Sequence, residues 1–524
     1  MKRTTLLGTA LALTSVGVLV TACTPGPSAP AATRDDGTLV IGETADTTEV
    51  DPQISYNDVS WRIQDMVYDS LVTTDENSQI LPSIAASWTV DGATYTFDLQ
   101  PGVTFANGRA LTADDVVGSL QRLIDPALGS YWAVQLGPVQ AVEALDEHTV
   151  RVTLSQPWEP FLAALASTSA AILPMQELRA GTFDPASDWL GTGPFVVDEH
   201  VQDEEWTLSA NPSYWDAANA SIQGVTIRIV PDDSARIAGL RDGSLDIGYF
   251  LGPDSSALLE GVPGVTTTVQ ASNDMYWLLL NAVNPSSPFT DADQRTALAS
   301  SIDREGLISS VLAGNSAPTG VTPTNAPGAC SPADLPTYGG GPDEGADILS
   351  AAGTQGASFS LIAPPYGPVY RDMASYLQQD FTSAGFSVSI DTPEIGAYIE
   401  EAWERTPAEF DATIDYLAGY LSPAMAAQFL VPTDPSAPGF PAFTIADPEL
   451  PALLDEVNGT TDPAVRAGLV TELCQRIATA ANVIPLATRS TTIGVRHDQV
   501  DADVPSFDGY DIYLRNLTTY SRQD

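Results

Sequence analysis

Two hydrophobic periods alternate along the chain. Ala93, Tyr95, Phe97 and Leu99 are apolar while Thr94, Thr96 and Asp98 between them are polar. That period of two predicts a half-buried strand. Val150, Val152 and Leu154 repeat it, as do Val225, Ile227 and Ile229. Thr38 to Gly42 and Met275 to Asn281 are compact apolar runs, read as buried strands, and Leu245–Ile247, Ser358–Ala363 and Phe386–Ile390 supply more. The second period is helical. Val59, Ile63, Met66, Val67 and Leu71 fall on one face. Thr112 stands where a helix cap is needed, with Asp115 three residues on, a buried stripe of Val116, Val117, Leu120, Leu123 and Ile124, and Pro126 just past the end. Further helices are predicted over 234–241 (stopped by Gly243), 293–312 (ending at Gly314) and 369–384 (closed by Gly385). Strands alternating with helices argue for the α/β class with largely parallel sheets. The Pro- and Gly-rich stretches 317–342 and 432–441 read as long surface loops.

The N-terminus breaks this pattern. Lys2 and Arg3 precede a nearly unbroken apolar run from Leu6 to Val20, and then Val20-Thr21-Ala22-Cys23 follows. A basic start, an apolar core and small residues before a cut describe a secretory signal. The run is shorter than the ~20 residues that span a bilayer. The cysteine directly after the small residues resembles the box of bacterial lipoproteins. That resemblance implies removal of residues 1–22, acylation of Cys23 and anchoring at the outer face of the cytoplasmic membrane. Residues 24–37, TPGPSAPAATRDDG, are rich in proline and small side chains and cannot build a core. They read as the tether in a segment 23–37 that extends to about 45 Å.

Charge and composition then narrow the chemistry. The net charge is −46, and Lys2 is the only lysine. Nucleic-acid binding needs clustered cations that this chain lacks, and adhesion to an anionic bilayer fails for the same reason. Membrane contact is therefore expected only through the lipid. Without a second lysine there is no P-loop, no pyridoxal Schiff base and no Ser-x-x-Lys hydrolase. His148, His200 and His497 are scattered, so no imidazole metal site is expected. No cofactor is implied. Cys330 and Cys474 remain after Cys23; outside the cell they can pair or stay as two thiols, and the pairing would stabilise by about 4–5 kcal/mol in the loop-entropy model. The residues after Gly37 exceed one hydrophobic core, so two or three subdomains are expected.

The stretch Leu81 to Val116, with Ala85 to Trp88, Tyr95 to Leu99, Gly102-Val103, Phe105, Asn107-Gly108 and Leu111 to Val116, carries a recognisable pattern. Gly191-Thr192-Gly193-Pro194-Phe195, Asn211-Pro212-Ser213-Tyr214-Trp215 and the looser set Gln294-Arg295, Ala297 to Ala299 and Ile302-Asp303-Arg304 follow in order. Together these blocks resemble the family 5 extracellular solute-binding proteins of ABC importers, the oligopeptide, dipeptide and nickel receptor group. Gln100 stands where that family usually has arginine. The resemblance implies a two-lobed, periplasmic-binding-protein-like α/β fold with a hinge and an extra inserted subdomain, in which lobes close over a ligand. Lobe I is expected from 38–58, 193–275 and 491–524, the inserted subdomain from 59–192 and lobe II from 276–490. It also implies a monomeric receptor, not an enzyme, that hands a small-molecule or oligopeptide ligand to the transmembrane subunits of an ABC permease.

In peptide-binding relatives a carboxylate within W-x-A-D-Y-x-x-P holds the peptide ammonium. Here Ala418-Gly419-Tyr420-Leu421-Ser422-Pro423 puts Gly419, or Tyr420 with a different gap, at the acidic position, with Asp415 nearby. An uncharged ligand such as an oligosaccharide, stacking on aromatic rings, is then an alternative, as is a cationic one. An exported hydrolase on the same scaffold is a further alternative, although no nucleophile motif supports it. By position, ligand contacts are expected from Glu49, Tyr56 and Asn57 after the first strand, from Asn281 and Asn284, and from Tyr366, Tyr370, Trp403, Tyr416 and Tyr420.

Overall fold

The computed structural model describes residues 37–523, apart from 56, 217–220, 323–327, 406–407, 419, 432–446 and 510–516. The leader, Cys23, nearly all of the tether, Tyr56, Gly419 and the 432–441 loop lie outside the described residues.

Strand β1 (Thr38–Glu43) and helix α1 (Asp58–Val67) open the fold. An antiparallel four-stranded sheet follows, built from β2 (Ala85–Asp91), β3 (Thr94–Leu99), β4 (Val139–Asp146) and β5 (Thr149–Leu154) in the order β2-β3-β5-β4. Helix α2 (Ala113–Leu123) lies within this part and is closed by the capping box of Thr112 and Asp115. Asp115 also accepts from Arg109, whose guanidinium reaches Glu177 as well. The chain then returns through β6 (Phe195–Val201), β7 (Glu205–Ala210), β8 (Gly224–Ile229), α3 (Asp233–Asp242) and β9 (Ile247–Phe250).

The long strand β10 (Val265–Leu280) leads into α4 (Ala292–Ser300), α5 (Arg304–Ser310), β11 (Ser358–Ile362), α6 (Pro368–Ser383), β12 (Ser387–Asp391) and β13 (Ala412–Leu417). Helices α7 (Pro423–Leu430), α8 (Leu450–Gly459) and α9 (Pro463–Ala480) precede a second long strand, β14 (Val483–Arg496). Ten strands make one sheet in the order β12-β11-β13-β10-β14-β9-β1-β8-β7-β6. Cys330 and Cys474 are joined as a disulfide that ties the 317–342 loop to α9.

Several sequence expectations need correction. The large sheet is mixed. β1 runs parallel to β8 and β9, and β11 to β12 and β13, but the long strands pair antiparallel with each other and with their neighbours. Local periodicity reports burial, whereas strand direction follows from connections that it does not see. The helix expected over 293–312 is two helices. Ile302 is buried at the break, and Asp303 restarts the chain by capping Gly306 N–H at 2.9 Å. The strand expected at 245–247 begins only at Ile247, because the Asp246 carboxylate is held by Val40 N–H and Arg522. The expected 59–71 helix stops at Val67. Ile63, Met66 and Val67 of α1 pack with Leu39, Ile41, Trp206 and Ile247, whereas Trp61 of the same helix packs in the core with the four-stranded sheet.

Candidate functional site

Two long strands at the middle of the ten-stranded sheet join its two halves. Residues 492–495 of β14 pair with β9, and residues 275–280 of β10 pair with β13. β10 and β14 pair with each other along nearly their full length, but register breaks between Ala271 and Met275. Three residues, Ser272, Asn273 and Asp274, are accommodated in that break. The irregularity locally interrupts the ladder, and it sits where one lobe gives way to the other.

A chain of buried charges runs through this region. Glu43 at the end of β1 pairs with Arg62 of α1 at 2.8 Å; Arg62 reaches Asp58 at 3.3 Å; Asp58 meets Arg489 of β14 at 3.3 Å; and Arg489 holds Asp274 at 3.0 Å. Burial works against an ionised Asp58, but Arg62 and Arg489 outweigh it and hold the carboxyl down to about 2. The two guanidiniums also lie over aromatic faces, Arg62 over Tyr249 at 4.2 Å and Arg489 over Tyr416 at 4.6 Å. Arg489 therefore touches α1, the irregular segment of β10 and strand β13 at once. Such a network is costly to break, since removing one partner leaves a buried charge uncompensated.

Asp415 on β13 is treated differently. It is 4% exposed and accepts from the Tyr398 hydroxyl, from Trp403 and from its neighbour Tyr416 N–H at 2.7 Å. No arginine pairs with it among the described residues. Burial therefore dominates over those hydrogen bonds, and the carboxyl is pushed up to about 7. Trp403 lies in a π-helical turn, Glu400–Glu404, a geometry frequent at functional sites. Tyrosines surround the acid. The Tyr366 ring lies 5.6 Å from Tyr370, 5.5 Å from Tyr398 and 5.9 Å from Tyr416, edge-on in each case. Tyr370 packs on Tyr276 at 5.8 Å, and burial raises its hydroxyl pKa. A second aromatic group joins Trp61, Trp132, Tyr131, Tyr420 and Phe429, bridging α1, the four-stranded part, and α7 with the residues just before it.

The residues expected from sequence thus separate into two sets. Tyr366, Tyr370, Trp403 and Tyr416 gather around Asp415, and Tyr420 joins the second aromatic group. The polar candidates are committed to the fold instead. Asn57 caps α1 by accepting from Ser60 N–H at 2.8 Å, and its amide donates to Glu49 at 2.6 Å, so Glu49 and Asn57 form a local pair. Asn281 donates to Ala408 C=O at 3.0 Å and accepts from Val283 and Asn284 N–H, a turn-building role. Asn284 is spent on Glu409 C=O and Ser286 N–H. Sequence reasoning singles out none of Glu43, Asp58, Arg62, Asp274, Tyr398 and Arg489. The one available signal was Arg489 just after the apolar run 483–487, in a chain of high net negative charge, which implies an acidic partner.

The recognisable blocks act as fasteners around this site. A Cβ on Gly193 would come within 2.6 Å of the Val67 backbone, so the chain can cross the end of α1 only as glycine. Gly193 N–H bonds Val67 C=O at 2.9 Å, Thr192 and Trp215 both donate to half-buried Asp69, and Asn211 donates to Gly193 C=O. The family model of bacterial extracellular solute-binding proteins, family 5, middle part, matches residues 79–434. The chain belongs to that family. This family 5 protein is 29% identical over 477 residues to Protein XP55 of Streptomyces lividans, covering 86% of this chain and 84% of that one. It is 31% identical over 307 residues to the probable D,D-dipeptide-binding periplasmic protein of Escherichia coli, covering 55% and 57%. Its fold is similar to that of a solved dipeptide-binding protein from Pseudoalteromonas sp. SM9913 in complex with Met-Leu (TM-score 0.81, 22% identity, 93% and 100% covered). The two-lobed architecture with a mixed α/β sheet is that of these neighbours.

Proposed function

We propose that this family 5 protein is an exported receptor, held to the outer face of the membrane through lipid on Cys23, that closes its lobes on a peptide-like ligand bearing a cationic amine. The ligand is then handed to an ABC import permease without chemical turnover. The observation that carries the ligand class is Asp415. It is a buried carboxylate, ringed by tyrosines, with hydrogen-bond donors but, among the described residues, no arginine. A ligand ammonium entering there would gain a charge-assisted hydrogen bond in a dry site. It would take the role that an acid at position 419 plays in peptide-binding relatives. Hinge motion centred on the break in β10 and the facing part of β14 would let the ligand in.

An uncharged ligand such as an oligosaccharide is the second reading, favoured by Gly419 and by the number of tyrosines. Native mass spectrometry of protein purified from its own host separates the two, because the mass of a retained ligand reports its class. A peptide or other amine supports the first reading; a sugar, or release of a cleaved product over time, overturns it. Radiolabelled palmitate incorporated into wild type and absent from Cys23→Ser tests the anchor, and an unlabelled wild type would remove it.

A further inference from the structure

The segment that breaks the β10 register contains a second feature, Asn273. Its neighbours are fully engaged. Ser272 donates to Arg489 C=O at 3.3 Å and accepts from Asp274 N–H at 3.1 Å, while Asp274 pairs with the Arg489 guanidinium. Arg489 thus pins the segment on both sides of Asn273. The Asn273 side chain itself is 0% exposed, and among the described residues neither its Nδ2 nor its Oδ1 has a hydrogen-bond partner. Burying an amide with donor and acceptor both unpaired is costly, and leucine would fill the same volume at no such cost. An asparagine kept there calls for an explanation outside the packing.

Its surroundings supply one. The Ser78 Oγ is also buried, without a partner among the described residues. Ser78 sits at φ +59°, in a tight turn held by Asp75, whose carboxylate accepts from Asn77 and Gln79 N–H and whose C=O accepts from Ser78 N–H at 3.0 Å. Both side chains converge on Gly509. A Cβ there would overlap Ser78 Oγ and would lie 3.1 Å from Asn273 Nδ2 and 3.4 Å from Leu421. The Gly509 segment is moored to β10 by Asp508 N–H on Ala271 C=O at 2.9 Å. Four stretches of chain therefore meet at one point: the turn before β2, the hinge, the segment just after β13, and the C-terminal part. The side chains that meet there, Ser78, Asn273 and Leu421, are uncharged, so the point does not favour an ammonium or a carboxylate.

We propose that Asn273, with Ser78 beside it, is a subsite that reads a peptide bond of the ligand. The carboxamide offers an N–H donor and a C=O acceptor side by side in one plane, and a peptide unit offers the complementary pair. The Ser78 hydroxyl can serve as donor or acceptor to the same group. This rests on the peptide reading above and adds to it. Asp415 would hold the charged end, and Asn273 would select for an amide backbone and satisfy its own two groups only when the lobes close on ligand.

The test uses the mature protein and an equimolar mixture of Ala-Xaa-Ala tripeptides, with the tightest binder picked by native mass spectrometry and then titrated by calorimetry. Asn273→Leu is expected to melt at or above the wild-type temperature without ligand, and to bind that tripeptide about tenfold more weakly, the loss of roughly one good hydrogen bond. N-methylation of the reading amide should weaken wild type by a similar factor and leave Asn273→Leu nearly unaffected. Ser78→Ala, on a turn that tolerates it, should weaken binding several-fold and covers the case in which Asn273→Leu does not fold. Equal affinity of wild type and both variants overturns the subsite while leaving the receptor reading intact. A lowered melting temperature of Asn273→Leu with unchanged affinity does the same, since it marks a structural water. A wild type that captures no tripeptide removes the peptide reading and the subsite together.

Discussion

In the unfolded chain the Asp415 carboxyl titrates near its ordinary 3.8, and in the folded protein at about 7. Between those values the native state keeps a proton that the unfolded chain has released. Stability therefore falls as pH rises from about 4 to about 7 and is level above that. Asp415→Asn removes this slope. In denaturant melts from pH 4 to 8 it should match wild type at the acid end and exceed it at pH 8, by an amount on the order of 3–4 kcal/mol. A parallel pair of curves would refute the assignment. Binding should move the other way: affinity for a cationic peptide rises for wild type as pH climbs through 7, and stays low and flat for Asp415→Asn. The residue scale is also where sequence and structure part most. Tyr366, Tyr370, Trp403 and Tyr416 were legible one by one as candidate aromatics, but not their gathering around Asp415. The cap made by Asn57 and the turn built by Asn281 were not legible, because a side-chain amide serves a turn or a ligand with the same atoms, and only its neighbours decide.

At the scale of elements, the crossing of Gly191–Phe195 over the end of α1 has no room for a side chain. Gly193→Ala drives a Cβ against the Val67 backbone and should cost about 1–3 kcal/mol, the usual range for overpacking a tight contact, read as a lowered denaturation midpoint with unchanged slope. The disulfide works through the unfolded state instead. Cys330 and Cys474 are 144 residues apart, so the paired Cys330→Ser, Cys474→Ser variant should lose about 4–5 kcal/mol in the loop-entropy model. Wild type in reductant should fall to the same midpoint; if reductant has no effect, the bond does not contribute in solution. Element identity was largely readable from periodicity, and the Thr112–Asp115 cap was readable to the residue. The break at Ile302 was not, since a buried isoleucine before an aspartate fits a continuous helix equally well until Asp303 is seen capping Gly306.

Over the whole molecule, the four-stranded part and the helices α7 to α9 are in contact. Arg466 of α9 pairs with Glu159 at 3.4 Å, Ser422 donates to Glu159, Glu159 N–H bonds Asn458 C=O at 2.7 Å, and Gln135 donates to Met425 C=O. Opening the lobes far enough to admit a ligand means breaking some of these. Arg466→Ala, at a partly exposed pair worth little to stability, should speed ligand release about threefold or more while hardly changing association, as most interface changes do; stopped-flow release that matches wild type would show that these contacts take no part in closure. The sequence by itself determined the class of fold, the family and most elements. Those properties are written in local periods and in ordered short motifs that survive without knowledge of what lies opposite them. Tertiary structure alone decided the sheet directions, the two cores that α1 packs against, the charge chain from Glu43 to Asp274, and the separate treatment of Asp415 and Asn273. Each of these depends on which distant side chain shares a dry space with another, and Asp58 and Arg489, 431 residues apart, leave no trace of that in their local sequence.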